Sequence, residues 1–158
     1  MRVFKEEQAF RQWWLILILG ILMLICAIPI VNWKAEVQWN PWNFLAFSLM
    51  FLIALLFWTL RLKTRIDAYG ITARFTPFNS FKRHYNWKEI ENCYVREYAP
   101  ISEYGGWGIR GFGKAIAYNV SGNMGIQIVT TNGEKFLIGT NKPTEAEKVI
   151  DHFMQKQN

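Results

Sequence analysis

The sequence predicts a transmembrane helical hairpin followed by a mainly β domain. Three observations carry that expectation: two charge-free apolar runs near the N-terminus, a change of hydrophobic period from helical to two after residue 60, and a single amphipathic stripe near the C-terminus. At 158 residues the chain has room for one ordinary domain plus something small.

The first run, WWLILILGILMLICAIPIV at 13–31, and the second, WNFLAFSLMFLIALLFWTL at 42–60, each hold nineteen residues without a charge. About 20 apolar residues cross about 30 Å of hydrocarbon, so each is long enough to span. Twelve residues of the first run are Leu, Ile or Val, each favouring insertion by about 0.3–0.6 kcal/mol with no charge to oppose the sum. Six of the eight tryptophans (Trp13, Trp14, Trp33, Trp39, Trp42 and Trp58) fall in or beside these runs, toward ends where an amphipathic ring sits among headgroups. A cleaved signal is disfavoured, because no small-x-small site follows the first run and a second run comes at once. The small residues Gly20, Ala27, Ala46, Ser48 and Ala54 are candidates for close helix contact.

Basic residues set the expected orientation. Arg2, Lys5 and Arg11 precede the first run, Arg61, Lys63 and Arg65 follow the second, and the segment between carries only Lys34. The expected organisation is therefore a cytosolic N-terminal tail at 1–12, spans at 13–31 and 42–60, an external loop at 32–41, and a cytosolic domain at 61–158. That places a multi-pass protein in the cell (inner) membrane with both termini in the cytosol.

Within 61–158, strand-like stretches fall at 61–67, 71–76, 81–87, 90–98, 109–119 (irregular), 125–131 and 134–140. Asn132-Gly133 predicts a two-residue hairpin turn with both residues at positive φ. Ala146, Val149, Ile150, Phe153 and Met154 recur at helical spacing and predict one terminal helix packed on the sheets. Cys26 and Cys93 read as buried thiols.

About seven antiparallel strands and one C-terminal helix is the order of a pleckstrin-homology-like (PH-like) domain. The segment 66–140 resembles the bacterial PH-like domains found behind two membrane spans, a family largely uncharacterised. The resemblance rests on Asp67-Ala68-Tyr69-Gly70-Ile71, Pro77-Phe78, Trp87-Lys88-Glu89-Ile90, Glu103-Tyr104-Gly105-Gly106-Trp107-Gly108-Ile109-Arg110, Ala117-Tyr118-Asn119-Val120-Ser121-Gly122-Asn123 and Leu137-Ile138-Gly139-Thr140. It implies a membrane-attached module without known catalysis.

Residue patterns for chemistry are few. Gly106-x-Gly108-x-x-Gly111 and Gly108-x-x-x-x-Gly113-Lys114 match fragments of nucleotide-binding motifs. A strand-like run follows where the first needs a helix, and Ala115 stands where the second needs a hydroxyl. The glycines then serve a bulged, tightly turned strand, with Trp107 plugging part of the core and Arg110 paired to a carboxylate. The competing reading is a recognition loop presenting Tyr98, Tyr104, Trp107, Arg110 and Lys114 to a peptide or headgroup. No catalytic residue, cofactor or metal ligand is expected, since neither His84 nor His152 has a neighbour that would orient it.

Charge is lopsided. Seven basic residues and one acid between Arg61 and Lys88 give +6, whereas seven basic residues and eight acids from Glu89 onward give −1. Lys82, Arg83 and Lys88, beyond the orientation signal, are candidate contacts for anionic headgroups. Nucleic acid is not an expected partner, because the anionic bilayer competes for the same charge. The expected role is a membrane-anchored binding or scaffolding module, not an enzyme, engaging anionic lipid headgroups or a membrane protein partner. The alternative is a regulatory or accessory subunit of a transport complex, disfavoured because the spans carry only Asn43, Ser48 and Thr59 as polar groups. Nothing in the sequence sets an oligomeric state.

Overall fold

The computed structural model describes residues 3–31 and 40–155; the expected loop at 32–41 thus lies mostly outside the described residues. The chain divides into two compact units: residues 10–60, and a second unit assembled from residues 1–9 together with 61–158.

The first unit is a helical hairpin, α1 (Trp13–Val31) and α2 (Pro41–Thr59). Asn40 caps α2, its side chain accepting from the Trp42 amide at 3.1 Å, and Pro41 takes the first helical position, where no N–H is needed. Neither helix buries a single residue. Most half-covered positions fall in a seam, Leu15, Leu19, Met23 and Cys26 on α1 and Asn43, Phe47, Met50, Ala54 and Phe57 on α2, with Ala27, Pro29, Ile30 and Ile53 beside it. That three-and-four spacing is the one by which paired helices interdigitate. Of the small residues, Ala27 and Ala54 are half-covered, whereas Gly20, Ala46 and Ser48 face outward. Both helices are long and apolar enough to cross a membrane. A helix apolar on every side and buried on none has lipid as its natural solvent.

The second unit holds nine strands among the described residues, in two sheets. The first sheet is β1 (Phe4–Ala9), β2 (Arg61–Asp67), β3 (Gly70–Thr76) and β4 (Lys82–Asn86), in that order and antiparallel throughout. The second contains β5 (Ile90–Glu97), β6 (Gly108–Phe112), β7 (Ala115–Asn119), β8 (Met124–Thr130) and β9 (Lys135–Gly139), ordered β5-β8-β9-β7-β6. A short helix α3 (Pro100–Tyr104) follows β5, and α4 (Pro143–Met154) ends the unit.

Four expectations change. Residues 4–9 are not tail but strand, paired to β2 in register from Phe4↔Ile66 to Ala9↔Arg61. The irregular stretch 109–119 is a hairpin, β6–β7, so nine strands replace about seven. The sheets are not wholly antiparallel, since β7 runs parallel to β9. At Asn132-Gly133 only the glycine has positive φ (81°). The Gly133 amide donates to the Thr130 carbonyl at 2.9 Å, and the Asn132 side chain accepts from the Glu134 amide at 3.2 Å. Asn132 therefore closes the loop with its side chain and keeps ordinary backbone.

The core lies between the sheets. Leu62, Ile66, Ile71 and Phe75 from the first meet Tyr118, Ile126, Ile128, Phe136 and Ile138 from the second, all essentially buried. Phe75 and Tyr118 pack at 5.4 Å between ring centroids, as do Tyr85 and Phe136. Ala146, Ile150 and Phe153 bury the stripe of α4, and Phe153 stacks on Trp87 at 5.3 Å. Cys93 is buried too, and burial pushes its thiol up to about 12, keeping it protonated and inert.

β1 is tied down by polar bonds as well as by Phe4. The buried Glu6 carboxylate accepts from the Thr140 hydroxyl at 2.6 Å, the Asn141 amide at 2.8 Å and Gln8 at 3.0 Å, while Gln8 donates to the Gly139 carbonyl at 2.8 Å. The first strand thus holds the end of β9 and the lead-in to α4.

Candidate ligand-binding face

Alternation along a strand sends successive side chains to opposite sides of the sheet. In β2, Leu62, Thr64 and Ile66 go inward, which leaves Arg61, Lys63, Arg65 and Asp67 on the outer face. Pairing registers align that face into two cross-strand rows. One is Glu7–Lys63–Arg74–Lys82, and the other is Lys5–Arg65–Thr72–His84. Together they line a shallow concavity of about 770 Å³.

Charges on this face are only partly balanced. Glu7 bridges Arg61 and Lys63, each at 3.0 Å, and those cations, Lys63 foremost, hold its carboxyl below the usual range. Arg65 pairs with Asp67 at 2.7 Å. Lys5, Arg74 and Lys82 have no ion pair among the described residues. Lys63, Arg74 and Lys82 stand directly opposite one another on three adjacent strands, a like-charge row that weakens a sheet unless an anion occupies it. His84 donates from Nε2 to the Asn86 amide oxygen at 3.1 Å, and its Nδ1 meets the Thr72 hydroxyl at 2.7 Å.

Lys82, Arg83 and Lys88, grouped by sequence, do not share a face. Lys82 points outward with Arg74; Arg83 shares the other side of β4 with Tyr85, opposite the buried Ala73. Lys88 lies in the 3₁₀ turn Trp87–Glu89, beyond the strand. Lys5, Lys63, Arg65, Arg74 and His84 complete the face and were missed as site residues. The alternation Arg-Leu-Lys-Thr-Arg-Ile-Asp at 61–67 carried the signal, masked by its second meaning as an orientation marker.

The aromatic-glycine segment is built differently. Tyr98 is 3% exposed and packs with Ala117 and Leu137 on the outer side of the second sheet, where Tyr104 covers it at 6.1 Å. Burial raises the phenols of both tyrosines. Tyr98 is therefore core, not a presented side chain. Gly105, at φ 72°, ends α3 by donating to the Ile101 carbonyl at 2.9 Å, with Gly106 donating to Pro100 at 2.8 Å. Gly111 is at φ 91°, and a Cβ there would meet the Ala115 carbonyl oxygen. Trp107 is half-buried and donates to the Gly122 carbonyl at 3.2 Å. Arg110, expected to pair with a carboxylate, forms no ion pair among the described residues and donates to the Trp107 carbonyl at 2.9 Å, while Glu103 of the same segment is held by Arg96 at 2.7 and 3.2 Å. Arg110 and Lys114 remain exposed. The glycines lead into the strand pair β6–β7, so no helix N-terminus meets them. Among the described residues no three His, Cys, Asp or Glu side chains gather as a metal site.

A hairpin able to span a membrane, carried between the first two strands of a two-sheet β unit, defines the class of this protein. Compared with known proteins by sequence, the chain matches no family model and no curated protein.

Proposed function

We propose that this chain is a membrane-anchored binding module, with a PH-like domain held at the cytosolic leaflet of the bacterial inner membrane, whose basic first-sheet face engages anionic lipid headgroups. The observation that carries the reading is the row Lys63–Arg74–Lys82, in which only Lys63 has an ion pair among the described residues and which begins four residues after α2 ends. Near a bilayer surface each such cation is worth about 1 kcal/mol against anionic lipid. The PH-like assignment draws support from four strands in one sheet, the rest in a second, and a final helix packed on the core. It accommodates two departures, the hairpin set between β1 and β2 and the added β6–β7 pair. The cytosolic orientation rests on basic residues flanking both ends of the hairpin, and on β1 and β2 sharing one sheet, which requires both ends to emerge on one side.

The test uses the full-length chain purified in mild detergent from membranes containing phosphatidylglycerol. Retained anionic lipid, measured by mass spectrometry, is expected to fall about tenfold or more in Arg74→Glu/Lys82→Glu, given about 1 kcal/mol per charge and reversal doubling the effect. Arg83→Glu/Lys88→Glu, with the same net charge change, is expected to retain it. Equal retention by both variants overturns the reading, and loss of a crosslinked protein from the first variant alone assigns the face to a membrane protein partner instead.

A further inference from the structure

We propose that the connection between β3 and β4, with Phe78 and Phe81 at its surface, is a second, non-helical contact with the bilayer, an aromatic foot seated at the boundary of headgroups and acyl chains. This rests on the hairpin spanning a membrane, and it draws on the basic face only for the cations that lie behind the tip.

Single exposed apolar residues are ordinary on a protein surface. Phe78 and Phe81 are different because they are exposed together. They are 43% and 41% accessible, yet hold each other edge to face at 6.2 Å between ring centroids, on the 3₁₀ turn Asn79–Phe81. The result is a joined apolar tip and not two scattered side chains. Two exposed phenyl rings packed against each other form a small continuous apolar patch, the kind of surface that contacts use.

The position of the tip identifies the occupant. Thr76, the last residue of β3, lies opposite Arg61, the first residue of β2, and its hydroxyl donates to the Arg61 carbonyl at 3.4 Å. Arg61 follows the last residue of α2 by two positions. Phe78 lies two residues beyond Thr76, a reach of at most about 7 Å. The aromatic turn therefore leaves the first sheet at the end where the chain runs into the hairpin. At the opposite end the β2–β3 turn carries one exposed ring, Tyr69, with no aromatic partner among the described residues, and Asp67 accepts from the Tyr69 amide at 2.9 Å. Directly behind the phenyl pair, Arg74 and Lys82 face each other across the strands. Aromatic rings in front and cations one step behind match the layering of a bilayer surface, where rings lie among glycerol groups and cations reach phosphates. A soluble protein partner gives no reason for that order or for that end of the sheet.

The experiment places a photoreactive benzoyl-phenylalanine singly at Leu52, Tyr69, Phe78 or Phe81 of the full-length chain, reconstituted in phosphatidylethanolamine–phosphatidylglycerol liposomes. Leu52 lies on the outer side of α2 and Tyr69, 74% exposed, at the far end of the sheet. Lipid adducts, read by mass spectrometry, are expected at positions 52, 78 and 81, and several-fold fewer at 69. The adducts at 78 and 81 are expected to persist at about 1 M salt, where the Debye length falls to about 3 Å, because the contact is apolar. Yields at 78 and 81 no higher than at 69, with position 52 labelled, overturn the foot and leave the spanning hairpin standing. Absence of lipid adducts at 52 overturns the spanning reading and the foot with it. Protein adducts replacing lipid at 78 in native membranes overturn the foot in favour of a protein contact.

Discussion

In α1 every residue is uncharged and none is buried, whereas in β9 four of five residues are buried. The two regions draw on the same apolar alphabet and use it in opposite ways. The β unit turns its apolar residues toward one another and shows polar ones to water, while the hairpin turns apolar residues outward and keeps a narrow seam inside. Apolarity thus sets what a segment must face, and only the period says whether the partner is protein or lipid.

The comparison predicts that the hairpin can be removed without unfolding the β unit. Ala9 and Arg61 are register partners, so an Asn-Gly pair in place of residues 10–60 closes β1 onto β2 as an ordinary two-residue hairpin. That variant is expected to be soluble and to melt cooperatively by circular dichroism. The fragment 61–158 alone loses Phe4 from the core, worth about 3–5 kcal/mol by analogy with Phe→Ala, together with the partner of Thr140 and Asn141. Against a total of about 5–15 kcal/mol it is expected to be unfolded or aggregated. A fragment that melts like the linked variant would show that β1 adds nothing.

A pair of truncations sharpens the contrast. Phe136→Ala, at a site 1% exposed, is expected to cost about 3–5 kcal/mol. Leu52→Ala, at 59% exposure, is expected to leave the β unit unchanged. Hydrogen exchange of the β8 and β9 amides in the full chain reads both, and comparable protection in the two variants would erase the distinction.

The smallest effect is electrostatic. Arg96, and secondly the Ala99 amide, hold the Glu103 carboxyl below the usual range. A depressed carboxyl adds stability above its unfolded pKa of about 4.3 and loses it as pH falls through the lower folded value. Both partners are partly exposed, so the pair is worth under about 1 kcal/mol. Arg96→Ala is expected to lower the melting temperature slightly near pH 6, with the difference shrinking near pH 3. A difference that grew on acidification would contradict the pairing.

Local signals made much of this fold legible. The span at 13–31, the strand at 61–67 and the stripe of α4 coincide with the elements formed, because charge-free length and periodicity are properties of contiguous sequence. β1 was hidden because its inward residues after Phe4 are Glu6 and Gln8, polar side chains whose partners, Thr140, Asn141 and Gly139, lie at the other end of the chain. The parallel pairing of β7 and β9 is likewise non-local. On the candidate face, Lys82 lies in a row with Arg74, while Arg83, grouped with it by sequence, falls on the other side of β4 because adjacent residues of a strand point to opposite sides.

The pairing of β1 with β2 also makes closure of the first sheet conditional on both ends of residues 10–60 lying on one side of any membrane they cross. β1 leaves the ribosome first, yet its partner follows only after residues 10–60 have been made, so the sheet closes late. A chain whose two spans insert with only one crossing leaves its first and second strands on opposite sides of the bilayer, where they cannot pair. Phe4 then has no core, Glu6 loses Thr140 and Asn141, and the β2 edge stays open.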